Sequence, residues 1–415
     1  MSEDNNIPKH WKIVVSSKIM DIRDGTHDTP KYIQNDGIPL ITSKNLKGNK
    51  IDFEKVSYIS KDDHFEISKR SKVEEGDILF AMIGTIGNPA IIKGDANFSI
   101  KNIGLFKKNE SVIIPAFFVN YLRSGIFEKQ LTERKLLKGT TQKFIPLGNL
   151  RNIHIPLPPI SEQKAIVFKI EELLSDLENG KQQLQIAHQQ LIIYRQSLLK
   201  WAFEGKLTNN NVKDGELPKG WKWMLISDLC NVVRGGSPRP AGDPKFYDGN
   251  IPFLKVRDIT KDSNKYLTTF EYTIKEAGLH KTRQIKPNTL LLSNSGATLG
   301  VPKICMIDAT MNDGIAAFLD LDKRSNLYLY YFWVSKTREL RNINMGAAQP
   351  NLNTDIIKNY SVPIPPLSEQ QLIVDELESK LTVCDKIEET ISQSLLQAES
   401  LRQSILKKAF EGKLV

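Results

Sequence analysis

The sequence predicts an α+β fold in which two compact α+β domains are joined by two long helices that pair as an antiparallel coiled coil. An internal repeat of pseudo-twofold character predicts this arrangement. The phrase IPLPPISEQ at 155–163 returns 207 residues later as VPIPPLSEQ at 362–370. Each copy runs on to AFEGKL, at 202–207 and at 409–414, so the two phrases are equally far apart in both copies. Such a repeat is assigned before single elements because it determines the whole architecture.

The distribution of charge divides the chain in the same way. The 415 residues carry 57 Lys and Arg against 48 Asp and Glu, a net charge of +9. The net charge is +6 in residues 1–154 and +7 in 217–361, but −1 in 155–216 and −3 in 362–415. A basic balance favours nucleic-acid binding. Lysines that serve only solubility would be spread evenly along the chain, whereas here the positive charge is concentrated in two separate segments.

These boundaries give five segments. They are a first basic domain at 1–154, a first long helix at 155–207, a linker at 208–216, a second basic domain at 217–361 and a second long helix at 362–415.

The two helical segments carry apolar residues in alternating steps of four and three, which is typical of a coiled-coil seam. Their equal length favours pairing with each other, but the periodicity does not decide whether they pair within one chain or between two. Each segment of about forty helical residues would be roughly 60 Å long. Ser161 and Ser368 follow the Pro-Pro pairs and are expected to be N-caps. Gly180 interrupts the first seam and favours a bend there. The residues expected at the interface between the helices are Ile170, Leu177, Leu184, Leu191 and Leu198 in the first and Leu377, Ile391 and Ile405 in the second; the seam also passes through Tyr194, Trp201, Ile387 and Leu401.

The two basic domains repeat each other more faintly. The run RDGT at 23–26 corresponds to RGGS at 234–237, and KGTTQ at 138–142 corresponds to MGAAQ at 345–349. Short β-rich runs with glycine turns, together with one helical piece near 115–135 and another near 326–343, predict compact α+β domains.

No pattern of a complete enzyme is present. The stretch NPAI at 88–91 lacks the second proline and the aromatic ring with which amino-methyltransferases hold a flipped base. Neither GxGxxG nor a Walker loop occurs. Cys230, Cys305 and Cys384 form no CxxC and the six histidines have no paired spacing, so no metal site is expected. No apolar stretch is long enough to cross a membrane.

The order of basic domain, PLPP-SEQ helix ending in AFEGKL, second basic domain and PIPP-SEQ helix ending in AFEGKL resembles the specificity subunit of type I restriction–modification enzymes. The resemblance covers nearly the whole chain. It implies that each domain is a target recognition domain that reads half of a bipartite site in double-stranded DNA. It also implies that the helices set the gap between half-sites and dock two modification (methyltransferase) subunits, through which restriction/translocase subunits join.

The same resemblance implies a chain that is not itself an enzyme. S-adenosylmethionine, ATP and Mg²⁺ would be bound by the partner subunits and no cofactor by this chain. The expected location is the cytoplasm of a bacterium or archaeon.

Base reading is expected in the loops that correspond between the two domains. Arginine and lysine donate to guanine, and glutamine and asparagine pair with adenine, whereas most basic contacts go to phosphate. The candidates are Arg23, Lys44, Gln142 and Lys143 in the first domain and Arg234, Arg239, Arg257 and Gln349 in the second. Lys143 and Arg239 have no like residue in the other domain, which makes them the stronger candidates for sequence reading.

Two alternatives stay open on the residues alone. One is a coiled-coil scaffold whose basic domains bind protein or RNA. The other is a methyltransferase or nuclease whose motifs are not recognisable.

Overall fold

The computed structural model of the protein describes residues 7–415 except positions 35, 49, 210, 214, 297 and 344–350. The chain folds into two compact units. Unit 1 is formed by the residues up to Gln185 together with Ser392–Val415, and unit 2 is Ile186–Ile391. Each unit therefore contains one basic domain, the first part of one long helix and the last part of the other.

In unit 1 the basic domain is built from short strands and helices that lead into the first long helix. A four-stranded sheet has the order β2-β10-β7-β8, a three-stranded sheet has the order β6-β3-β9, and β1-β11 and β4-β5 form two ribbons. The elements are β1 Lys12–Val15, α1 Ser16–Ile19, β2 Ile22–Asp24, β3 Ile38–Ile41, β4 Leu46–Lys47, β5 Lys50–Ile51, β6 Ser57–Ile59, α2 Lys61–Ser71, β7 Ile78–Ala81, β8 Gly87–Ile91, β9 Ser99–Ile100, β10 Ile103–Phe106, α3 Pro115–Leu122, α4 Gly125–Glu133, α5 Leu147–Leu150, β11 His154–Leu157 and α6 Ile160–Phe203.

Unit 2 repeats this plan with one more strand in each of its two sheets. The sheet orders are β13-β21-β18-β19-β15 and β16-β14-β20-β17, and β12-β22 is a ribbon. The elements are β12 Lys222–Leu225, α7 Ile226–Leu229, β13 Asn231–Arg234, β14 Tyr247–Leu254, α8 Val256–Thr260, β15 Tyr266–Leu267, β16 Tyr272–Ile274, β17 Arg283–Ile285, β18 Thr289–Ser293, β19 Pro302–Cys305, β20 Ala309–Met311, β21 Ile315–Leu319, α9 Asn326–Ile343, α10 Thr354–Lys358, β22 Ser361–Ile364 and α11 Leu367–Phe410.

The predicted fold class is confirmed: the chain has two α+β domains and two long helices of 44 residues each. Within unit 2 the helices run antiparallel, because His188 of α6 contacts Glu388 of α11 and the later Arg195 reaches the earlier Asp385. Arg195 binds Asp385 at 2.7 Å and Glu388 at 2.9 Å.

The duplicated phrases form the joint between each domain and its two helices. In unit 1 the buried Gln163 donates to the carbonyls of Val112 and Pro158 and accepts from the amide of Ile114. Glu162 accepts from the indole N–H of Trp11 at 2.9 Å. The phrases therefore recur because each joint needs the start of one helix and the end of the other.

The AFEGKL ends complete the two joints in the same way. Phe410 lies 5.2 Å from Phe117, and Phe203 lies 5.2 Å from Tyr328, between ring centroids. Gly412 has a φ of +65°, and a Cβ there would lie 2.2 Å from the Pro8 ring. Gly205 meets the ring of Pro218 at the same distance. Only glycine combines the left-handed backbone with this close approach.

Several expectations for single elements are wrong. The long helices begin at Ile160 and Leu367, so Ser161 and Ser368 lie within the first turn instead of capping it. The helix α6 continues through Gly180 as one element, and a bend at this glycine stays a prediction. The helical piece near 115–135 is two helices, because the Ser124 side chain accepts from the amide of Phe127 and starts α4.

The predicted helix interface is buried along most of its length. Leu177 and Leu184 are half-buried, and the other six are buried: Ile170, Leu191, Leu198, Leu377, Ile391 and Ile405. Four seam residues are instead exposed, namely Tyr194, Trp201, Ile387 and Leu401. An antiparallel pair covers only a narrow stripe of each helix, so the flanks of the predicted seam stay in solvent.

Candidate nucleic-acid interface

The loops of unit 1 converge at one edge of its four-stranded sheet. Asp24 at the end of β2 faces Gly104, and Ala81 at the end of β7 faces Ile103 at the start of β10. Because these strands are antiparallel, the loops after β2 and β7 and before β10 meet at this edge. The loop 138–144 joins them, since Phe144 bridges Ile83 just beyond β7.

A second sheet brings more polar residues to this edge. β3 and β9 run parallel, so both of their carboxyl ends point to it. Lys44 follows β3 in a short 3-10 helix, and Lys101 follows β9 and bridges Thr26. We call the loops 25–29, 42–45, 83–87, 101–102 and 138–144 the loop edge of unit 1.

Unit 2 has a corresponding loop edge. Arg234 ends β13 opposite Ala316, and Ser293 ends β18 opposite Ile315 at the start of β21. The loops 235–246, 294–300 and 312–314 lie at these strand ends, 255–258 follows β14, which pairs in parallel with β20, and Asn351 bridges Ser295. These ranges, without position 297, form the loop edge of unit 2.

In each loop edge one glycine lies directly against a backbone carbonyl of a neighbouring segment. A Cβ on Gly25 would lie 2.2 Å from the carbonyl oxygen of Ile100, and one on Gly235 would lie 2.1 Å from that of Asn312. A larger residue would push the loop away from the neighbouring strand. The match of RDGT with RGGS is one residue out of register, because the amide of Gly25 donates to Ile103 just as the amide of Gly235, not of Gly236, donates to Ile315.

At the loop edge of unit 1 a polar network surrounds the buried carboxylate of Asp24. Asp24 binds Arg70 of α2 and the Nε2 of His27, the latter at 2.9 Å. The Nδ1 of His27 lies 2.9 Å from Oδ1 of Asn102. This network positions the first loop and leaves the imidazole half in solvent, where it can contact a ligand.

At the loop edge of unit 2 Asp313 has the organising role. Its carboxylate accepts from the hydroxyl of Ser237 at 2.7 Å and lies 3.7 Å from Nη2 of Arg239. Its carbonyl oxygen accepts from Nε of Arg234 at 2.5 Å. The side chain of Arg239 is 70% exposed, so its guanidinium is available to a ligand.

A shallow pocket of about 380 Å³ opens beside Arg239. Lys255 places its ammonium 3.3 Å from the ring centroid of Tyr272 on one wall. Tyr247 donates to the carbonyl of Pro238, and burial raises the pKa of its hydroxyl above the ordinary value, although the charge of Arg239 acts in the opposite direction. The Tyr247 hydroxyl therefore stays neutral at physiological pH and stabilises the loop that presents Arg239.

The structure places most of the predicted reading residues at these edges. Lys44, Gln142 and Lys143 are exposed in loops of unit 1, and Arg239 and Arg257 are exposed in unit 2. Arg23 is held on the sheet face by Asp21 and by the carbonyl of Arg70, and Arg234 is held by Asp313. Gln349 lies outside the described residues.

Sequence reasoning missed His27, Arg70, Lys101 and Asn102 in unit 1 and Lys255 and Asp313 in unit 2. The correspondence of NIG at 102–104 with NDG at 312–314 was a usable signal, because both asparagines precede the strand that closes the edge. Nothing in the local sequence indicates that Arg70, on a helix 46 residues further on, reaches Asp24.

Across the described part of the chain no group of three or more His, Cys, Asp or Glu side chains could hold a metal ion. The three cysteines are free, and burial raises the pKa of the Cys230 thiol to about 12. Among the helices of the described residues, none combines the length and apolarity needed to cross a bilayer.

The family described as "type I restriction modification DNA specificity domain" matches the chain twice, at residues 8–187 and 218–397. Each match contains one basic domain and the beginning of the long helix that follows it. The resemblance noted from the duplicated phrases is thereby confirmed.

Similar proteins cover the chain almost from end to end. The StySPI specificity subunit of Salmonella potsdam is 27% identical over 98% of this chain and 90% of its own. The EcoKI specificity subunit of Escherichia coli K12 is 24% identical over the same shares. Among solved structures, a chain from a study of assembly and conformational transition of the type I R-M system aligns with a TM-score of 0.72 at 22% identity, covering 98% of this chain and 99% of its own. The HsdS subunit of Thermoanaerobacter tengcongensis aligns with a TM-score of 0.62 at 21% identity, covering 98% of both chains.

Proposed function

Because the chain belongs to the type I restriction modification DNA specificity family, we propose that each of its two domains reads one half of a bipartite site in double-stranded DNA. The observation that carries the proposal is the recurrence of one loop edge in both units, with the same close-approach glycine and different exposed side chains. A shared scaffold with different readers is what two different half-sites require. Guanidinium and ammonium groups at these edges would contact phosphate and guanine, and Gln142 would suit adenine.

The long helices are proposed to set the distance between half-sites and to bind two modification subunits, through which restriction subunits would join. Large apolar side chains that these helices leave in solvent support a protein partner. Phe168 and Leu396 are each 72% exposed and Ile193 is 62% exposed. The relatives favour this function over a scaffold that binds RNA or protein.

The chain itself is proposed to be non-catalytic and to act in the cytoplasm. S-adenosylmethionine, ATP and Mg²⁺ would be bound by the modification and restriction subunits. The purified chain should neither methylate nor cut DNA, and methyl transfer by the chain without partners would contradict this assignment.

Exchange of one domain tests the proposal directly. Residues 1–154 are replaced by the corresponding domain of a relative that keeps aromatic partners for Phe410, and the modified motif is determined by methylome sequencing of the host. One half of the motif should change, while the other half stays the same because unit 2 is untouched. A change in both halves, or in neither, would refute separate reading by the two domains.

A further inference from the structure

A cleft of about 800 Å³ opens in unit 1 between the basic domain and the beginning of α6. Phe53 and Phe98 form one wall, with ring centroids 6.0 Å apart in an edge-to-face arrangement. Ile170 and Leu174 of α6 line the opposite wall. Phe53 is 49% exposed, so the apolar surface of the cleft is open to solvent.

Three polar side chains of the cleft have no partner among the described residues, whereas Arg123, which also lines it, donates to the carbonyls of Gly48 and Pro89. Asn120 of α3 is nine-tenths buried and lines the cleft, and its side-chain amide has no hydrogen bond to any residue that the structure describes. Glu171 of α6 and Lys50 of β5 also line it, and neither forms an ion pair within the described residues. The polar atoms of Asn120 are accessible to water in the cleft, so they can bind a ligand that enters it.

Unit 2 shows what fills the corresponding space. Glu378 lies nine residues after Glu369, just as Glu171 lies nine residues after Glu162. Tyr331 follows Tyr328 by three residues, just as Asn120 follows Phe117. These correspondences make Tyr331 the counterpart of Asn120.

In unit 2 these residues are joined. The hydroxyl of Tyr331 donates to Oε1 of Glu378 at 3.0 Å, and Lys265 binds the same oxygen at 2.6 Å. The ring of Tyr330 packs edge-on against Tyr331, 5.1 Å away. Burial, together with the charge of Glu378, raises the pKa of Tyr331, which keeps its hydroxyl protonated as a donor. Unit 2 thus closes this space with a phenol ring from its own chain.

We propose that the cleft of unit 1 is a docking site for a protein segment that inserts a tyrosine, whose hydroxyl donates to Glu171. The cleft has Glu171 where unit 2 has Glu378, but its own α3 supplies only the short Asn120 where α9 supplies Tyr331. Its size is that of a site for a whole ligand or peptide segment instead of one ring. Both signs of charge, from Lys50, Lys93 and Asp95, lie along it and suit a peptide backbone with polar neighbours. The inference does not depend on DNA reading.

Small probes measure the preference of the cleft in the full-length chain. Binding of 4-fluorophenol and fluorobenzene is followed by ¹⁹F NMR. The phenol should bind about tenfold more tightly, because a hydrogen bond to a charged acceptor is worth about 1.5 kcal/mol or more. Glu171→Gln, an exposed substitution that leaves the fold intact, should reduce this ratio several-fold. Equal affinities for the two probes, or a ratio unchanged in the variant, would overturn the proposal.

A variant that copies unit 2 locates the binding. Asn120→Tyr should occupy the cleft and abolish binding of 4-fluorophenol, with Asn120→Asp as the control that leaves the space open. Persistent binding in Asn120→Tyr would place the probe elsewhere and refute the site. If Asn120→Tyr does not fold, the Glu171→Gln comparison still decides.

A peptide distinguishes a protein segment from a small phenol. N-acetyl-Gly-Tyr-Gly-amide should displace 4-fluorophenol at lower concentration than unlabelled phenol does, and the same peptide with Phe should be weaker. If phenol displaces the probe more effectively than the peptide, the cleft is a small-molecule site and docking of a protein segment is wrong.

Discussion

At the scale of single residues, the exposed cations of the two loop edges are expected to differ in what they read. Arg239→Ala should relax the preference at one base pair by about 1–3 kcal/mol if the guanidinium contacts guanine. A phosphate contact would instead weaken binding to all sequences and lower the salt slope by about one. Titrations of the assembled complex on motif variants at several salt concentrations measure both.

Arg324 provides a matched control for this substitution. It is also an exposed arginine of unit 2, but it pairs with Asp322 next to α9 and not at the loop edge. Arg324→Ala should change neither the motif nor the salt slope. Equal effects of both substitutions would mean that only the overall charge of unit 2 matters.

The two glutamines of the duplicated phrases are not equivalent in energy. Gln163 makes three hydrogen bonds, whereas Gln370 donates to the carbonyl of Pro365 and its Oε1 has no partner. Gln163→Ala should destabilise its joint by about 2–3 kcal/mol, because it removes three hydrogen bonds and leaves the amide of Ile114 unpaired, while Gln370→Ala should cost about 1 kcal/mol. Hydrogen exchange around 112–122 and around the start of α11 compares them; a larger effect of Gln370→Ala would contradict the assignment.

Local sequence was informative where a residue's role depends on its neighbours along the chain. Lys44 and Gln142 were predicted as exposed loop residues because they follow short β runs and glycines. The bond from Trp11 to Glu162 spans 151 residues, and the one from Arg70 to Asp24 spans 46. No local pattern encodes such contacts, since they exist only after distant segments have packed.

At the scale of elements, α9 of unit 2 carries three tyrosines whose pKa is raised in the folded chain. Burial raises the pKa of Tyr330 to about 12, and it also raises the pKa values of Tyr328, Tyr331 and Tyr360. An unfolded tyrosine ionises near pH 10. Between about pH 10 and 12 the unfolded chain therefore loses protons that the folded chain keeps, so unit 2 should lose stability as pH rises through this range.

Tyr330→Phe isolates the contribution of the Tyr330 hydroxyl to the pH dependence of unfolding. The variant keeps the buried ring but cannot ionise, so its unfolding should depend less steeply on pH above 10 and be unchanged at pH 8. Urea unfolding followed by hydrogen exchange in peptides of α9 provides the measurement. Equal stability of α9 at pH 9 and pH 11 in the unsubstituted protein would disprove the burial argument.

The long helices were predictable in extent because an apolar repeat over forty residues outweighs single irregularities such as Gly180. Their surroundings were less predictable. The capping bond of Ser124 divides one expected helix, and the serines after the Pro-Pro pairs proved to lie inside the first turn. End positions depend on a few hydrogen bonds of about 1 kcal/mol each, which tertiary contacts easily redirect.

At the scale of the whole molecule, helix length should set the distance between half-sites. One heptad adds about 10 Å and keeps the seam within about 20°. Both helices must be extended, after Gln185 and after Ile391, because these are the points where α6 and α11 leave one unit for the other. The gap in the modified motif should grow by roughly three base pairs at 3.4 Å each, with both half-sites unchanged.

Insertion into α6 alone is the control, since it shifts one helix against the other and should abolish assembly. Methylome sequencing with the doubly extended chain gives the result. Bent DNA could compensate for one heptad at a cost of a few kcal/mol, but not for two. An active complex whose motif keeps its original gap after two heptads have been inserted in each helix would therefore refute the role of the helices as spacers.

The contact between Gly412 and Pro8 corresponds to the contact between Gly205 and Pro218. Segment 208–216 connects the second pair through the chain, whereas no such segment connects the first. The same glycine–proline contact, Gly205 with Pro218, is bridged by peptide in one unit and by packing alone in the other. The same packing contacts can therefore form when the chain begins at another point of the sequence. A protease nick in 208–216 should leave two pieces that migrate as one particle, and a chain that begins at Glu216 with its old ends fused should read the same DNA.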